Sequence, residues 1–189
     1  MNNGFLNIHD LILALAALEA LLLSLALKLI PTNHRQPRNL LAVFFFLVAG
    51  MLVTTLIIWN GYLQTLEIAR WDLLPLLLSV CMLLQWPTLY LYLQSLSREL
   101  QLLHWKNLAH LVPAVIVGAV ILIADIDIVD WLPWNRSLLS PMELHSLEFV
   151  WAIVKCSPLG YLVACFYAEY RLRQQLKQVY SSISAYDLR

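Results

Sequence analysis

Two charged residues sit where charge is most costly. Glu19 lies in "ALAALEALLLSL" and Lys155 in "FVWAIVKCSPLG". Each is eight residues in from the start of an apolar run, at Leu11 and Leu147 respectively. On a helix that spacing corresponds to roughly 12 Å. An isolated charge at such a depth in hydrocarbon costs at least ~3 kcal/mol on insertion scales. Equal depth and opposite sign predict a Glu19–Lys155 pair, with the first apolar run beside the last. The alternatives are a wet cavity around each group, or a neutral Glu19. As chemistry, such a pair is a staple between helices or the polar floor of a ligand pocket. Asp72, Gln85 and Trp86 are the other candidates for ligand contact. The ordinary role of Gln85, Trp86 and Thr88 is hydrogen bonding between helices, worth ~1 kcal/mol or less.

Reactive constellations are not legible. There is no G-x-S-x-G elbow and no phosphate-cradling glycine loop. His9, His34, His104, His110 and His145 show no metal-ligand spacing. Asp125, Asp127 and Asp130 in "DIDIVD" read as a solvated acidic edge. We therefore expect no enzyme activity, no metal and no cofactor. Three cysteines, Cys81, Cys156 and Cys165, all lie in apolar runs and read as small fillers rather than a disulfide framework.

The elements that must position these residues follow from composition. The chain has 189 residues, 61% hydrophobic and 13% charged, against about a quarter charged in ordinary soluble domains. Several apolar runs approach the ~20 residues a helix needs to cross a bilayer. In lipid the backbone must satisfy its own hydrogen bonds, so such runs become helices. Five spans are predicted, near 11–30, 40–59, 72–93, 108–124 and 147–167. The fold class is all-α, an integral membrane bundle. Nine basic residues, from Lys28, Arg35 and Arg38 through Arg98 and Lys106 to Arg171, Arg173, Lys177 and Arg189, fall on one side. The positive-inside rule makes that side cytoplasmic, so the N-terminus is outside and the C-terminus inside. The segment 97–107 is then a short cytoplasmic connection, either a plain loop or an amphipathic helix on the headgroups. Tyr90, Tyr92 and Trp105 read as inner interfacial anchors. Trp59, Tyr62, Trp71, Trp131, Trp134 and Trp151 read as the outer belt. Pro75, Pro87, Pro113 and Pro158 are candidate kinks.

Trp86-Pro87-Thr88-Leu89-Tyr90-Leu91-Tyr92-Leu93-Gln94-Ser95-Leu96, followed by His110-Leu111-Val112-Pro113, resembles a recurring pattern. It is similar to the N-terminal membrane region of bacterial membrane-bound AraC-type transcription regulators. In that family a Gly-Pro-x-x-Tyr-x-Tyr-like segment ends a central span, and His-x-x-Pro opens the next. Tyr170, Leu172, Leu176, Tyr180, Ser181 and Asp187-Leu188 are similar to the family's helix leading out of the membrane. Trp86 departs from the pattern, standing where the family has Gly. The resemblance implies a linker and a helix-turn-helix DNA-binding domain beyond Arg189, so DNA would be a partner only through that domain.

Leu172, Leu176, Val179, Ile183 and Tyr186 are spaced as a heptad seam. An exit helix over 169–189, amphipathic and cytoplasmic, could dimerise through it or lie on the inner leaflet. The expected organisation is thus a transmembrane sensor and anchor over 1–168 followed by that exit helix. The expected function is sensing a small extracytoplasmic or lipophilic ligand in the bacterial inner membrane and relaying it through the last span. Pro87, His110, Pro113 and Pro158 are its structural or signalling residues. The rival functions are a small transporter or channel, with Glu19, Asp72 and Lys155 lining the path, or the membrane module of another signalling protein.

Overall fold

The computed structural model describes residues 7–31, 35–60, 62–63, 73–97, 105–126, 131 and 139–186. For 97, 105, 106, 175, 176 and 178–186 only the backbone is described. Every described regular element is helical: α1 (Ile8–Leu29), α2 (Arg35–Trp59), α3 (Leu73–Ser97), α4 (Trp105–Leu108), a 3-10 turn (Ala109–Leu111), α5 (Val112–Ile123) and α6 (Pro141–Tyr186). Four of them contain stretches long and apolar enough to cross a membrane: Ile8–Leu29, Arg35–Trp59, Leu74–Leu96 and Pro141–Gln174. The chain is in this sense a multi-helix membrane protein. The expected fourth span is shorter, an apolar stretch over Ala109–Ile123.

The helix ends carry their own stop and start signals. Asn7 caps α1, and its backbone N–H donates to Asp10 Oδ2 at 3.0 Å, completing a capping box. At α6, Ser140 N–H donates to Glu143 Oε2 at 2.8 Å and Glu143 N–H to Ser140 Oγ at 3.3 Å, with Pro141 between them. That is a second capping box with proline in the first helical position, where its missing N–H costs nothing. The helix therefore begins at Pro141, six residues ahead of the apolar run that hydropathy alone marks. Pro75 and Pro113 are likewise in first turns and do not break their helices. Only Pro87 and Pro158 are interior. α5 ends where Asp125 turns to φ 51°, and Ile126 N–H donates to Ile121 C=O at 3.1 Å. This closes the helix in a Schellman-type turn and sends Ile126 into the core.

α1 packs on α2, α2 on α3, and α3 on both α5 and α6. Two glycines set the closeness of these contacts. A Cβ on Gly50 would stand 3.0 Å from Cys81 Sγ, and one on Gly118 would stand 3.1 Å from Leu76 Cδ1. Small residues let helix backbones approach where lipid supplies no hydrophobic drive. The core lies between α2, α3, α5 and α6, around Ile58, Leu78, Leu83, Val117, Ile121, Leu147 and Val150. Trp131, expected in the outer belt, is instead buried there, its ring 4.9 Å from that of Trp151. Trp59 and Tyr62 are about half exposed, as belt residues are.

Buried hydroxyls are satisfied locally. Thr54 Oγ1 donates to Gly50 C=O at 2.6 Å, Ser79 Oγ to Pro75 C=O at 2.8 Å and Thr88 Oγ1 to Leu84 C=O at 2.7 Å. Thr88 thus bonds its own helix, one turn back and beside the Pro87 break, instead of a neighbouring helix. Ser24 Oγ does cross helices, donating to Ala42 C=O at 2.7 Å. Both ends of the α1–α2 hairpin are tied as well. Asn60 Nδ2 donates to buried Asp10 Oδ2 at 2.7 Å, and Asn60 Oδ1 accepts from the N–H groups of Tyr62 and Leu63. At the other end, Lys28 Nζ donates to Asn39 Oδ1 and Arg38 Nη1 to the Ile30 carbonyl.

These contacts give two expectations for the protein in detergent. Gly50→Val overpacks the α2–α3 contact and lowers stability by about 1–3 kcal/mol. Gly160→Ala, where an added Cβ meets nothing within 4 Å, is neutral or raises stability by up to ~1 kcal/mol. Thermal unfolding of the two variants checks both, and equal losses would contradict the packing described here.

Candidate functional site

The sequence-predicted polar residues do not come together. Glu19 projects from the exposed face of α1, among Leu15, Leu18, Leu22 and Leu23. Lys155 is exposed on α6, its Nζ 5.6 Å from the centre of the Trp151 ring. No ion pair joins them among the described residues, where the ion pairs are His9–Asp10 and Glu169–Arg173. The expected contact of the first span with the last is therefore corrected: α1 seats on α2, and α6 on α3 and α5. Residue counting along a helix says nothing of which helix lies beside it, because neighbourhood depends on side-chain packing. Gln85 and Trp86 are half-buried in α3, and Pro87 is buried. Asp72 lies outside the described residues, as does most of the 97–107 connection. Leu172 is half-buried; the side chains of Leu176, Val179 and Ile183 are outside the description, although α6 carries their backbone to Tyr186.

What does come together is a set of aromatic and polar groups at the junction of α3, α5 and α6. His110 Nδ1 and Tyr161 Oη lie 2.8 Å apart, within hydrogen-bond distance. Tyr90 completes the group: its ring centroid is 5.6 Å from that of His110 and 6.2 Å from that of Tyr161. Tyr90 comes from α3, three residues after Pro87. His110 sits in the 3-10 turn, which tightens the approach to α5 just before Pro113. Tyr161 follows Pro158 and Gly160 on α6. At 1.5 Å per residue, Tyr90 is roughly 10 Å from the end of α3, and Tyr161 roughly 15 Å from Arg171. Tyr90 and Tyr161 are thus inside their apolar stretches, whereas His110 stands at the start of its own, Ala109–Ile123.

Beside them opens a cleft of about 530 Å³, within the ~300–1,000 Å³ typical of small-molecule sites. α6 lines it with Ile153, Cys156, Ser157, Gly160, Tyr161 and Ala164; Tyr90, His110 and Pro113 close the other side. No acidic or basic side chain other than the imidazole is among these residues. Gly160 leaves its wall empty, since a Cβ there would meet no atom. The hydrogen-bond arithmetic of the pair is fixed. A neutral imidazole and a phenol carry two donors between them, and their mutual bond uses one. If Tyr161 donates to Nδ1, the imidazole keeps its proton on Nε2; if Nδ1–H donates, the phenol keeps its own. In either arrangement one donor remains on a residue lining the cleft. An uncharged molecule with a hydrogen-bond acceptor at one end and an apolar body fits that chemistry.

Of the residues singled out by sequence, His110 and Pro113 line this cleft, as do Tyr90, read as an anchor, and Cys156, read as a filler; Pro158 lies within one turn of Tyr161. Tyr161 and Ser157 were missed. Tyr161 is separated from His110 by 51 residues, and no local spacing announces such a pair. The one signal was a glycine, poor in a helix interior, two residues after a proline in the same span. Comparison of the chain with protein-family models, with curated proteins and with solved structures finds no match.

The His110–Tyr161 bond is open to a double-mutant cycle. Tyr161→Phe and His110→Phe are expected to be non-additive in thermal stability, with a coupling of about 0.5–1.5 kcal/mol. Strict additivity would mean that the two groups do not bond.

Proposed function

We propose that this chain is the sensory and anchoring membrane region of a signalling protein, and that its signal is an uncharged, lipid-soluble molecule held in the cleft beside Tyr90, His110 and Tyr161. One observation carries the reading. α6 is a single helix of 46 residues that both lines the cleft and continues past the apolar stretch. At 1.5 Å per residue it is roughly 69 Å long, more than twice the ~30 Å hydrocarbon thickness. Its composition changes where it would leave: Arg173 bonds Glu169 one turn back, and Arg171 lies over the Tyr167 ring at 6.0 Å. A helix continuous from ligand wall to exit can carry a shift or rotation without a flexible joint.

The transcription-regulator form of this proposal rests on the resemblance of residues 86–96, 110–113 and the exit helix to AraC-type membrane regulators. In that form the protein sits in the bacterial inner membrane, N-terminus out and C-terminus in. The exit helix pairs with a second copy, and DNA is reached through a domain beyond Arg189. The transport alternative asked Glu19, Asp72 and Lys155 to share a path. Glu19 and Lys155 face different surfaces, so that alternative loses the geometry that motivated it.

Two measurements test the parts separately. Filling the cleft with Gly160→Leu is expected to change the distance between spin labels at Ser97 and Arg173 by on the order of 1–2 Å, the size of a helix shift. An unchanged distance distribution sinks the relay. Coding sequence downstream of Arg189 is expected to specify a helix-turn-helix pair. A different output domain there would remove the word transcription and leave the sensor.

A further inference from the structure

We infer that Glu19 and Lys155 pair between copies of this chain, so that the exposed face of α1 in one protomer seats against α6 of the next. Three observations lead there. First, neither charge finds a partner of opposite sign among the described residues. Residues 39–59, α3 and α5 contain no acidic or basic residue at all. Glu19 lies on the face of α1 away from its buried stripe of Asp10, Ala17, Ala20 and Ser24, in an open trough of about 450 Å³. Among the described residues, the contact Lys155 Nζ makes is with the face of Trp151.

Second, the two charges are at the same height. Asp10 meets Asn60 and Ser24 meets Ala42; counting from the two pairs puts Glu19 level with the turn 47–51 of the antiparallel α2, which includes Gly50. Gly50 faces Cys81 on α3. Tyr90 on α3 stands beside Tyr161 on α6, and counting nine residues back along each parallel helix pairs Cys81 with Ala152. Lys155 is three residues further on, roughly 4.5 Å. Its side chain reaches back over Trp151, as helical side chains lean toward the N-terminus. The ammonium and the carboxylate therefore fall within about one turn of each other.

Third, the contact needs no change of orientation. α1 and α6 run in the same direction through the bundle, and copies inserted alike hold both charges at one depth. Exposed leucines alone would say nothing here, because lipid covers them as well as protein does. A carboxylate and an ammonium in hydrocarbon are different: each is costly alone, and each is the other's remedy. The contact joins two unlike faces, so it repeats from copy to copy and gives a ring or an open row. It is separate from any pairing of the exit helices.

The test uses the full chain in phosphatidylcholine vesicles, with two distinguishable fluorescent tags. E19K carries a cation on both faces and K155E an anion on both. Each is expected to stay apart from its own kind, whereas a mixture of the two co-assembles and gives energy transfer between tags. The neutral Glu19→Gln, Lys155→Gln double variant is expected to self-associate roughly tenfold more weakly than wild type. Wild type that stays monomeric at every protein-to-lipid ratio overturns the inference. So does a neutral variant that associates as well as wild type, which also decides the matter should a charged variant fail to insert. Charged variants that insert and do not co-assemble overturn it too.

Discussion

Hydrocarbon offers no hydrogen-bond partner, and almost every polar feature of this chain answers that one constraint. Backbone groups are paired inside helices. Hydroxyls at Thr54, Ser79 and Thr88 turn back onto carbonyls of their own helix. Asp10 and Asn60, both nearly buried, satisfy one another where α1 starts and α2 stops. Among the described residues this economy leaves over the buried Arg38 Nε and Trp151 Nε1, which have no hydrogen-bond partner, the His110–Tyr161 pair with its spare donor, and the two charges at Glu19 and Lys155. The pair and the two charges are the places where the molecule keeps polar chemistry that its own folding does not require.

α3 is the organising helix. It touches α2 through Gly50 and Cys81, touches α5 through Leu76 and Gly118, and delivers Tyr90 to the cleft. Pro87 removes one hydrogen bond from it a single turn before Tyr90. The same region of α6 carries Pro158 and Gly160. Two weakened helices thus meet at the ring cluster, and this is where a bound molecule could bias their relative position at low cost. The walls of the cleft are apolar and uncharged, which favours a ligand that partitions into the membrane over one that stays in water.

The spans were legible because helix length and bilayer thickness are tied by simple geometry. Four of the five expected spans coincide with long apolar helices, to within a few residues at most ends. The start of α6 was set by Ser140, Pro141 and Glu143, a capping signal that outweighs hydropathy. Neighbours were not legible. Which helix lies beside which depends on a few close contacts, such as Gly50 against Cys81, whose partners are distant in sequence. For the same reason Trp131 read as a belt residue and proved to be core, and nothing local announced that Tyr90 lines the cleft. Tyr161 carried no signal until the fold brought His110 to it.

The account turns on occupancy of the cleft, and identification of the lipids retained by the purified protein tests that directly. Mass spectrometry of extracts from wild type and from Gly160→Leu, prepared identically, is the comparison. An uncharged lipid-soluble compound bearing a carbonyl or similar acceptor is expected, retained by wild type and lost when leucine fills the space. Identical extracts, or selective retention of a charged lipid, would contradict it.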